Sequence, residues 1–168
     1  VAGPGSLSVG TVLLQSLSST LSLTDNADIT SDGAVTLTGS GGIQSAAEVT
    51  TSADDVTLTS ALTLTGAVTI DTGSNAGSIT FNQTVNGSQD LTLNAGLGNI
   101  AFNQSAGQTS RLKLLKIVST ADATFAAAVS AEAFLQQAGS GTTTFAGLLH
   151  TSKLAGINIT GTNLNVFT

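Results

Sequence analysis

The sequence predicts an all-β fold: a right-handed parallel β-helix (β-solenoid) with about seven coils of roughly 19–24 residues each. Three observations support this fold: a heptapeptide that returns after a short interval, a two-residue alternation within each copy, and glycine-containing turns between copies. The heptapeptide reads GSITFNQ at residues 77–83 and GNIAFNQ at residues 98–104. Right-handed coiling is expected because parallel crossover connections almost always adopt that hand.

The repeat extends beyond these two copies. Related segments read GAVTLT from residue 33, DDVTLT from 54, DATFA from 122 and GTTTFA from 141. In each copy apolar residues alternate with Thr, Asn or Ala, which is the period of a β-strand with one buried side. Stacked coils place equivalent residues above one another, so the copies predict an inward column of Leu37, Leu58, Phe81, Phe102, Phe125 and Phe145. A second inward column holds Val35, Val56, Ile79, Ile100, Ala123 and Thr143, and the outward column between them holds Thr36, Thr57, Thr80, Ala101, Thr124 and Thr144.

A second strand follows most copies after about ten to twelve residues. The candidates are residues 68–70, 91–93, 115–117 and 157–159, with Phe134 as the core residue of the copy that begins at 122. Stretches that contain Gly, Asn or Asp separate the coils at residues 71–77, 94–98 and 138–141. Gly and Asn tolerate the positive φ that sharp corners require. One coil is longer than its neighbours, and we place an insertion of about three residues within residues 107–113.

We expect residues 1–11 to form a linker or an irregular first strand, and residues 12–168 to form a single β-solenoid domain. Near the C-terminus Leu164 and Val166 fit the inward columns but Phe167 does not. Either the register changes there or the chain stops within a coil. No amphipathic helix or charged strand is predicted to cover the ends of the stack, which would leave backbone groups unpaired. We therefore expect a segment of a longer array or a subunit that stacks end to end.

Composition excludes several classes of function. Charged residues make up 8% of the chain, and the net charge of −6 includes only four basic residues. Ordinary soluble proteins have about 25% charged residues. Four cations are too few to neutralise a row of phosphates, so we expect no nucleic-acid partner. The chain has no cysteine, which excludes disulfides, thiolate zinc sites and thiol nucleophiles. No stretch reaches the ~20 apolar residues of a membrane-spanning helix, and we expect no membrane insertion.

Two motifs each match part of a known active or binding site, but the other elements that such a site requires are not predicted. Residues 71–74 read DTGS, like the active-site loop of aspartic proteases, in which two carboxylates share one proton. The chain has no second DTG sequence, so we interpret Asp71 as a turn residue at a coil corner. Residues 96–101 match a loose dinucleotide-binding pattern, but no helix is predicted to follow and hold the phosphate. His150 is the single histidine, no nucleophile motif accompanies it, and we expect it at the surface.

Acidic residues offer one candidate metal site. Asp25, Asp28 and Asp32 lie within eight residues and could form a calcium-binding loop, but their spacing matches neither the EF-hand loop nor the glycine-rich nonapeptide repeats. The alternative is a solvated acidic corner. The same two interpretations apply to the pair Asp54 and Asp55, and to Glu132.

Basic residues cluster in one coil, at Arg111, Lys113 and Lys116. Cleavage of a polysaccharide would require acidic residues aligned with them on the same face, and the column positions show none. We therefore predict no catalytic residues, no cofactor-binding residues, no metal ligands and no cofactor, and we expect that the protein is not an enzyme.

N-glycosylation sequons begin at Asn82, Asn86, Asn103 and Asn158. Such triplets also arise by chance in a chain rich in Asn, Ser and Thr. Asn82 and Asn103 occupy the same position in successive coils, where stacked amides can hydrogen-bond to each other. At those two residues we favour an amide ladder over glycosylation.

Residues 78–104, SITFNQTVNGSQDLTLNAGLGNIAFNQ, and the repeats that continue to residue 161 resemble those of large bacterial surface proteins, the filamentous-haemagglutinin-like and autotransporter-type adhesins. The resemblance implies a right-handed β-helix that is exported as part of a stalk or fibre. It implies an extracellular or cell-surface location and an adhesive or structural role. The implied partners are neighbouring repeats of the same or identical chains and, on the host or matrix side, a carbohydrate or protein.

Three classes of function stay open at this point. The first is an adhesive or stalk segment, and the second is a subunit of an extracellular filament or sheath that stacks end to end. The third is an ice- or carbohydrate-binding face, suggested by outward Thr-x-Thr pairs at residues 36/38, 57/59 and 142/144. Asn82 and Asn103 interrupt that array.

Overall fold

The computed structural model describes residues 7–167, which form strands and turns and contain no helix. In chain order the strands are β1 (Leu7–Val9), β2 (Val12–Ser16), β3 (Leu21–Leu23), β4 (Ile29–Ser31), β5 (Val35–Gly39), β6 (Ile43–Ser45), β7 (Glu48–Thr51), β8 (Val56–Leu58), β9 (Leu62–Leu64), β10 (Val68–Asp71), β11 (Ile79–Phe81), β12 (Val85–Asn86), β13 (Asp90–Asn94), β14 (Ile100–Phe102), β15 (Leu112–Ser119), β16 (Ala123–Phe125), β17 (Val129–Gln136), β18 (Thr142–Phe145), β19 (Leu149–Thr151), β20 (Ile157–Ile159) and β21 (Asn163–Val166). The strand pairs are parallel, from β1 with β4 to β18 with β21. A sandwich of hairpins would have antiparallel pairs instead.

Each coil passes through three faces. The first face has the strand order β1-β4-β7-β10-β13-β15-β17, after which β17 pairs with both β19 and β20. The second face has the order β2-β5-β8-β11-β14-β16-β18-β21, and the third face has the order β12-β9-β6-β3. Ala106 bridges Val85 and Val129, and β17 pairs with β19, so the third face continues into the last coils. The predicted β-solenoid of about seven coils is confirmed, whereas its right-handed coiling stays a prediction.

The second face confirms the predicted columns. Phe81 pairs in register with Leu58 in the previous coil and with Phe102 in the next. Every residue of the two predicted inward columns is at most 2% exposed, while the residues of the outward column face the solvent side. Residues 68–70, 91–93, 115–117 and 157–159 all lie in first-face strands, and Phe134 is buried in β17 as expected.

Five phenylalanines form a continuous stack inside the C-terminal half. The ring centroids of Phe81 and Phe102 are 4.5 Å apart, and Phe102 to Phe125 is 5.0 Å. Phe125 and Phe145 stack at 4.7 Å with an interplanar angle of 3°. These distances follow the ~4.8 Å spacing between hydrogen-bonded strands, because each ring is fixed to its own coil. Phe134 comes from the opposite wall and contacts Phe125 and Phe145 edge to face.

The strands of the third face were not predicted from the sequence. These strands have two or three residues each, which is too short for an alternation to stand out. Their apolar residues are nevertheless part of the core, since Leu23, Ile43 and Leu62 are each 1% exposed. The only signals in the sequence are brief motifs such as LSL at 21–23 and LTL at 62–64.

The insertion lies at the corner between the third and first faces. Val85 and Ala106 are aligned across the third face, and Leu91 and Leu115 across the first. Six residues separate Val85 from Leu91, and nine separate Ala106 from Leu115, so three residues are added there as predicted. Gly107 begins the extra loop with φ of 72°, and a Cβ at this position would collide with the backbone of Ser130.

The strand register holds to the end of β21. Leu164 pairs with Thr143 and Val166 pairs with Phe145, so a change of register is the wrong explanation for Phe167. Phe167 simply continues the outward side of β21 beyond Val166. At the other end β1 pairs with β4, while residues 1–6 of the predicted linker and Thr168 lie outside the described residues.

The phenylalanine stack generates a prediction about stability. Phe102→Ala should lower the free energy of unfolding by about 3–5 kcal/mol, because it leaves a cavity between two stacked rings. Phe102→Asp should abolish folding, since it puts an unpaired charge into the core. The matched control Thr80→Asp places the same charge on the outward side and should change stability by about 1 kcal/mol or less. Urea unfolding followed by circular dichroism measures all three, and equal midpoints for the two Asp variants would show that the faces are assigned wrongly.

Candidate functional site

Polar side chains concentrate at the corner between the first and second faces, where they connect successive coils. Asp55 Oδ1 accepts the backbone N–H of Ser78 at 2.8 Å, and Ser78 Oγ accepts that of Asn99 at 3.2 Å. Asn99 Oδ1 accepts the N–H of Asp122 at 3.0 Å, and Asp122 Oδ1 accepts that of Thr142 at 2.6 Å. We call these links the corner ladder. In each link a side chain of one coil satisfies an amide of the next coil.

A row of buried hydroxyls lies inside the same corner. Its members are at most 3% exposed, and each donates to a backbone carbonyl a few residues further along the chain. The bonds are Ser31 to Gly33 at 2.7 Å, Thr51 to Asp54 at 2.6 Å, Thr72 to Gly77 at 2.6 Å and Thr120 to Asp122 at 2.8 Å. The hydroxyls therefore fix the turn of each coil, although the Asp122 carbonyl also accepts the backbone N–H of Ile100 at 2.9 Å.

The protease-like sequence at 71–74 forms part of this corner. Asp71 Oδ1 accepts the N–H of Gly73 at 2.7 Å and the side-chain amide of Asn94 at 2.9 Å. Gly73 has φ of 81°, and Gly96 takes the equivalent place one coil later with φ of 54°. Asp71 is the last residue of β10 rather than a turn residue, and its side chain holds the turn that follows at the coil corner. The dinucleotide-like pattern at 96–101 is likewise a coil corner that leads into strand β14 rather than a helix.

Two of the three acids of the candidate calcium loop bond to separate partners. Asp28 Oδ1 accepts the N–H of Glu48 at 2.8 Å, and Asp32 Oδ1 accepts the hydroxyl of Ser52 at 2.6 Å. Asp25 lies in a turn at the surface. Over residues 7–167 no three His, Cys, Asp or Glu side chains come close enough to hold a metal ion. The acids at 28 and 32 instead link their coil to the next.

Arg111, Lys113 and Lys153 lie along the corner between the third and first faces, whereas Lys116 lies within the first face, where it pairs with Thr92. Arg111 Nη1 donates to the carbonyl of Ala131 at 3.1 Å, and its Nη2 lies 3.0 Å from Nδ1 of His150. His150 is exposed, as predicted. Two of the lysines form surface ion pairs, Lys113 with Asp90 at 4.0 Å and Lys153 with Glu132 at 2.5 Å. Exposed pairs of this kind contribute roughly 0–1 kcal/mol, so they fix loop positions more than they stabilise the fold.

The asparagines of the sequons have different roles. Asn103 donates its amide to Oδ1 of Asn82 at 3.0 Å, which confirms the amide ladder. Asn86 Oδ1 accepts the N–H groups of Thr109 and Ser110, and so closes the inserted loop onto the coil below. Asn158 is exposed on β20. Glycosylation of any of the four stays untested.

The outer side of the second face carries no charged residue at either of its two outward columns. The first column is the predicted Thr-rich column, which runs from Leu13 at one end to Asn165 at the other, and the second consists of Gln15, Thr38, Thr59, Asn82, Asn103, Ala126, Ala146 and Phe167. The Thr-x-Thr pairs do not form one array, because Thr144 aligns with Thr124 whereas Thr142 aligns with Asn163 at the corner. The hydroxyls of Thr38 and Thr59 also bond to each other at 2.7 Å, which leaves them less available to a ligand.

The C-terminal coil exposes a concave apolar surface, which we call the C-terminal face. A cavity of about 470 Å³ opens there, lined mainly by aliphatic side chains. Leu164, Val166 and Phe167 are 52%, 58% and 60% exposed although the first two occupy the inward columns. Leu149, Ile157 and Ile159 complete the surface from the other two faces. In the residues described, no coil covers this face.

A buried polar pair lies in the core and was not predicted from the sequence. Gln136 is 0% exposed and Thr143 is 1% exposed, and each takes a place that aliphatic residues fill in other coils. The Thr143 hydroxyl donates to Oε1 of Gln136 at 2.9 Å. The two residues face each other across the coil, and the side-chain amide of Gln136 also donates from Nε2 to the Thr160 carbonyl at 3.4 Å. Thr143 was visible as an exception in its column, but its partner lies in a strand whose register the sequence did not fix.

The chain matches no protein-family model, no curated protein and no solved structure. Among residues 7–167 there is no helix that is long and apolar enough to cross a membrane. The described polar groups that the sequence put forward for chemistry are instead found mostly in hydrogen bonds within or between coils.

The corner ladder generates a prediction. Asp122→Ala removes the acceptor of the Thr142 amide and should lower the free energy of unfolding by about 1 kcal/mol. Asp122→Asn keeps an oxygen at the same place and should retain most of the stability, since Asn99 has that role one coil earlier. Denaturant unfolding of the two variants provides the comparison. If the Asn variant loses as much as the Ala variant, the oxygen acceptor is not what stabilises this corner.

The buried pair generates a second prediction. Gln136→Leu and Thr143→Val alone should each lower the free energy of unfolding by about 1–3 kcal/mol, because each leaves a buried polar atom without its partner. The double variant should regain a large part of the loss, with a coupling of about 1 kcal/mol or more. A double-mutant cycle by chemical denaturation measures the coupling. Additive losses would mean that the two side chains are stabilised independently.

Proposed function

We propose that this chain is a structural or adhesive β-solenoid segment of a large bacterial surface protein, located outside the cell and without catalytic activity. The observation that carries the proposal is that polar side chains at the corners hydrogen-bond to the backbone. Asp, Asn, Ser and Thr residues at the corners bond to backbone groups of their own or the adjacent coil, along most of the described chain. Side chains used in this way support a rod and have little freedom for catalysis.

The direction of the hydrogen bonds supports a mechanical role. Strands stack in parallel register on all three faces, so the backbone bonds between coils run along the length of the rod. A pull along the rod is shared by the bonds of three faces in every coil. Additional coils lengthen such a rod without any new type of contact.

The low fraction of charged residues supports a role in surroundings whose ionic strength varies. With 8% charged residues, few interactions in this protein depend on ionic strength. The core and the hydrogen-bonded corners carry the stability instead. The resemblance to adhesin repeats points in the same direction and rests on the repeat pattern alone.

Location provides the most direct test of the proposal. Antibodies raised against the folded chain should label intact, unpermeabilised cells that produce it, with a signal close to that of permeabilised cells. A cytoplasmic marker protein in the same cells controls for leakage, since it should be labelled only after permeabilisation. Labelling of the chain that likewise requires permeabilisation would contradict an extracellular role.

A further inference from the structure

One side chain of the inserted loop links three coils. Arg111 immediately precedes β15, and its guanidinium extends over the next coil to the one after it. Nη1 donates to the carbonyl of Ala131 at 3.1 Å and to the carbonyl of His150 at 3.4 Å, while Nη2 lies 3.0 Å from Nδ1 of His150. Arg111 therefore connects the inserted loop to both β17 and β19.

The guanidinium determines the protonation state that His150 must have in this contact. Arginine keeps its proton in proteins and can only donate hydrogen bonds, so Nδ1 of His150 must be the acceptor. An accepting Nδ1 carries no proton, and the proton of a neutral imidazole is then on Nε2. The contact therefore requires the neutral Nε2–H form of this histidine.

Protonation of His150 would remove the contact and create a repulsion in its place. Histidine is the side chain that ordinarily changes its charge between about pH 5 and pH 8. Both ring nitrogens of an imidazolium are donors, so Nδ1 could no longer accept from Arg111. Two positive charges would also meet at a contact whose nitrogen atoms are 3.0 Å apart.

The other charged side chains around β19 do not compensate for this repulsion. Besides the arginine, the inserted loop, β17 and the turn after β19 supply three charged side chains, and each of them is paired. Lys113 pairs with Asp90 at 4.0 Å, and Lys153 pairs with Glu132 at 2.5 Å. In the part of the chain that the structure describes, no carboxylate forms an ion pair with His150. A protonated His150 would therefore face the guanidinium without a counter-ion of its own.

We propose that Arg111 and His150 form an acid-sensitive clamp between the inserted loop and β19. At about pH 8 the neutral histidine accepts from the guanidinium, and the clamp is closed. As the pH falls towards about 5, His150 takes up a proton from water and the side-chain contact breaks. Because only the neutral histidine is compatible with the contact, its contribution to stability is present at high pH and is lost as the pH falls.

The clamp acts on β19 more than on the inserted loop. On its other side the loop is fixed by neutral groups, since Asn86 Oδ1 accepts the N–H groups of Thr109 and Ser110 at 2.9 and 3.3 Å. The strand β19 has only three residues, and none of them is fully buried. Short strands with few buried side chains open locally at a lower free energy than the core does. Acid should therefore loosen β19 and leave the loop in place.

Amide hydrogen exchange, measured by NMR, reports this loosening at defined residues. The N–H of Val129 donates to the Leu148 carbonyl and the N–H of Lys153 donates to the Glu132 carbonyl, both at 2.8 Å, so the two bonds lie on either side of His150. After correction for the intrinsic exchange rate, protection of these amides should fall about three- to tenfold from pH 8 to pH 5, as expected for one lost hydrogen bond. Asp and Glu side chains titrate mainly below this range.

Two variants distinguish the clamp from a general effect of acid. His150→Asn places an oxygen near the position of Nδ1, and this acceptor does not titrate, so protection should be almost equal at the two pH values. Arg111→Met keeps much of the side-chain length without its donors, and protection should be low at both pH values. A wild-type chain whose protection does not change with pH would overturn the clamp, as would an Arg111→Met variant with the same fall as the wild-type chain.

A reference amide shows whether the loosening is local. The N–H of Ile79 donates to the Asn99 carbonyl at 2.8 Å in a distant coil, and its protection should change little over the same pH range. A fall at Ile79 as large as that at Val129 would mean that acid weakens the whole rod, which would overturn a clamp at β19.

The tautomer of His150 can be measured directly. The chain contains a single histidine, so the nitrogen NMR signals of the labelled imidazole belong to this residue alone. At pH 8 these signals should show the proton on Nε2. A proton on Nδ1 would contradict the contact with Arg111 and overturn the proposal.

Discussion

The structure depends on one constraint: each strand must hydrogen-bond to the equivalent strand of the next coil on every face, in a register that shifts at Leu93 and Asn94, between β13 and β15. This fixes the distance between coils at about 4.8 Å and places equivalent residues directly above each other. A residue type that packs well at one position of a coil is therefore placed in contact with the same residue type in the next coil. The phenylalanine stack is the clearest result, since its centroid distances of 4.5 to 5.0 Å are set by the backbone spacing rather than by the rings. The same rule produces the amide ladder of Asn82 and Asn103.

The constraint also determines where polar residues are useful. Inside the tube a polar group must find a partner within its own coil or the next, as Gln136 and Thr143 do. At the corners the backbone leaves its sheets and its amides and carbonyls need other partners, which short Asp, Asn, Ser and Thr side chains supply. This explains a chain rich in small polar residues and poor in charge, because the partners needed are local and mostly neutral. The few ion pairs are confined to one corner, around the insertion and the last coils.

Much of the fold could be predicted from the sequence because the repeat is long-range and regular. The spacing between Phe81 and Phe102 fixed both the coil length and the register of the second face, and neither depends on local propensity. The third face could not be predicted, since strands as short as Val85–Asn86 have no measurable alternation. The corner ladder was also missed. Asp55, Ser78, Asn99 and Asp122 look unrelated in sequence, yet all are short side chains that place an oxygen at the same point. They can be recognised only from the geometry of the coil, because they share a position in the coil and not a residue type.

The corner ladder has a polarity that bears on how the protein forms. In every link described, the side chain belongs to the earlier coil and the amide to the later one. A nascent chain that emerges from its N-terminus therefore completes each turn with acceptors already in place for the residues still to come. Every finished turn offers these acceptors to its successor, whereas the next amide along the chain, such as that of Ile79, donates to a carbonyl of the later coil. The corner ladder can therefore form one turn at a time, from the first described coil to the last.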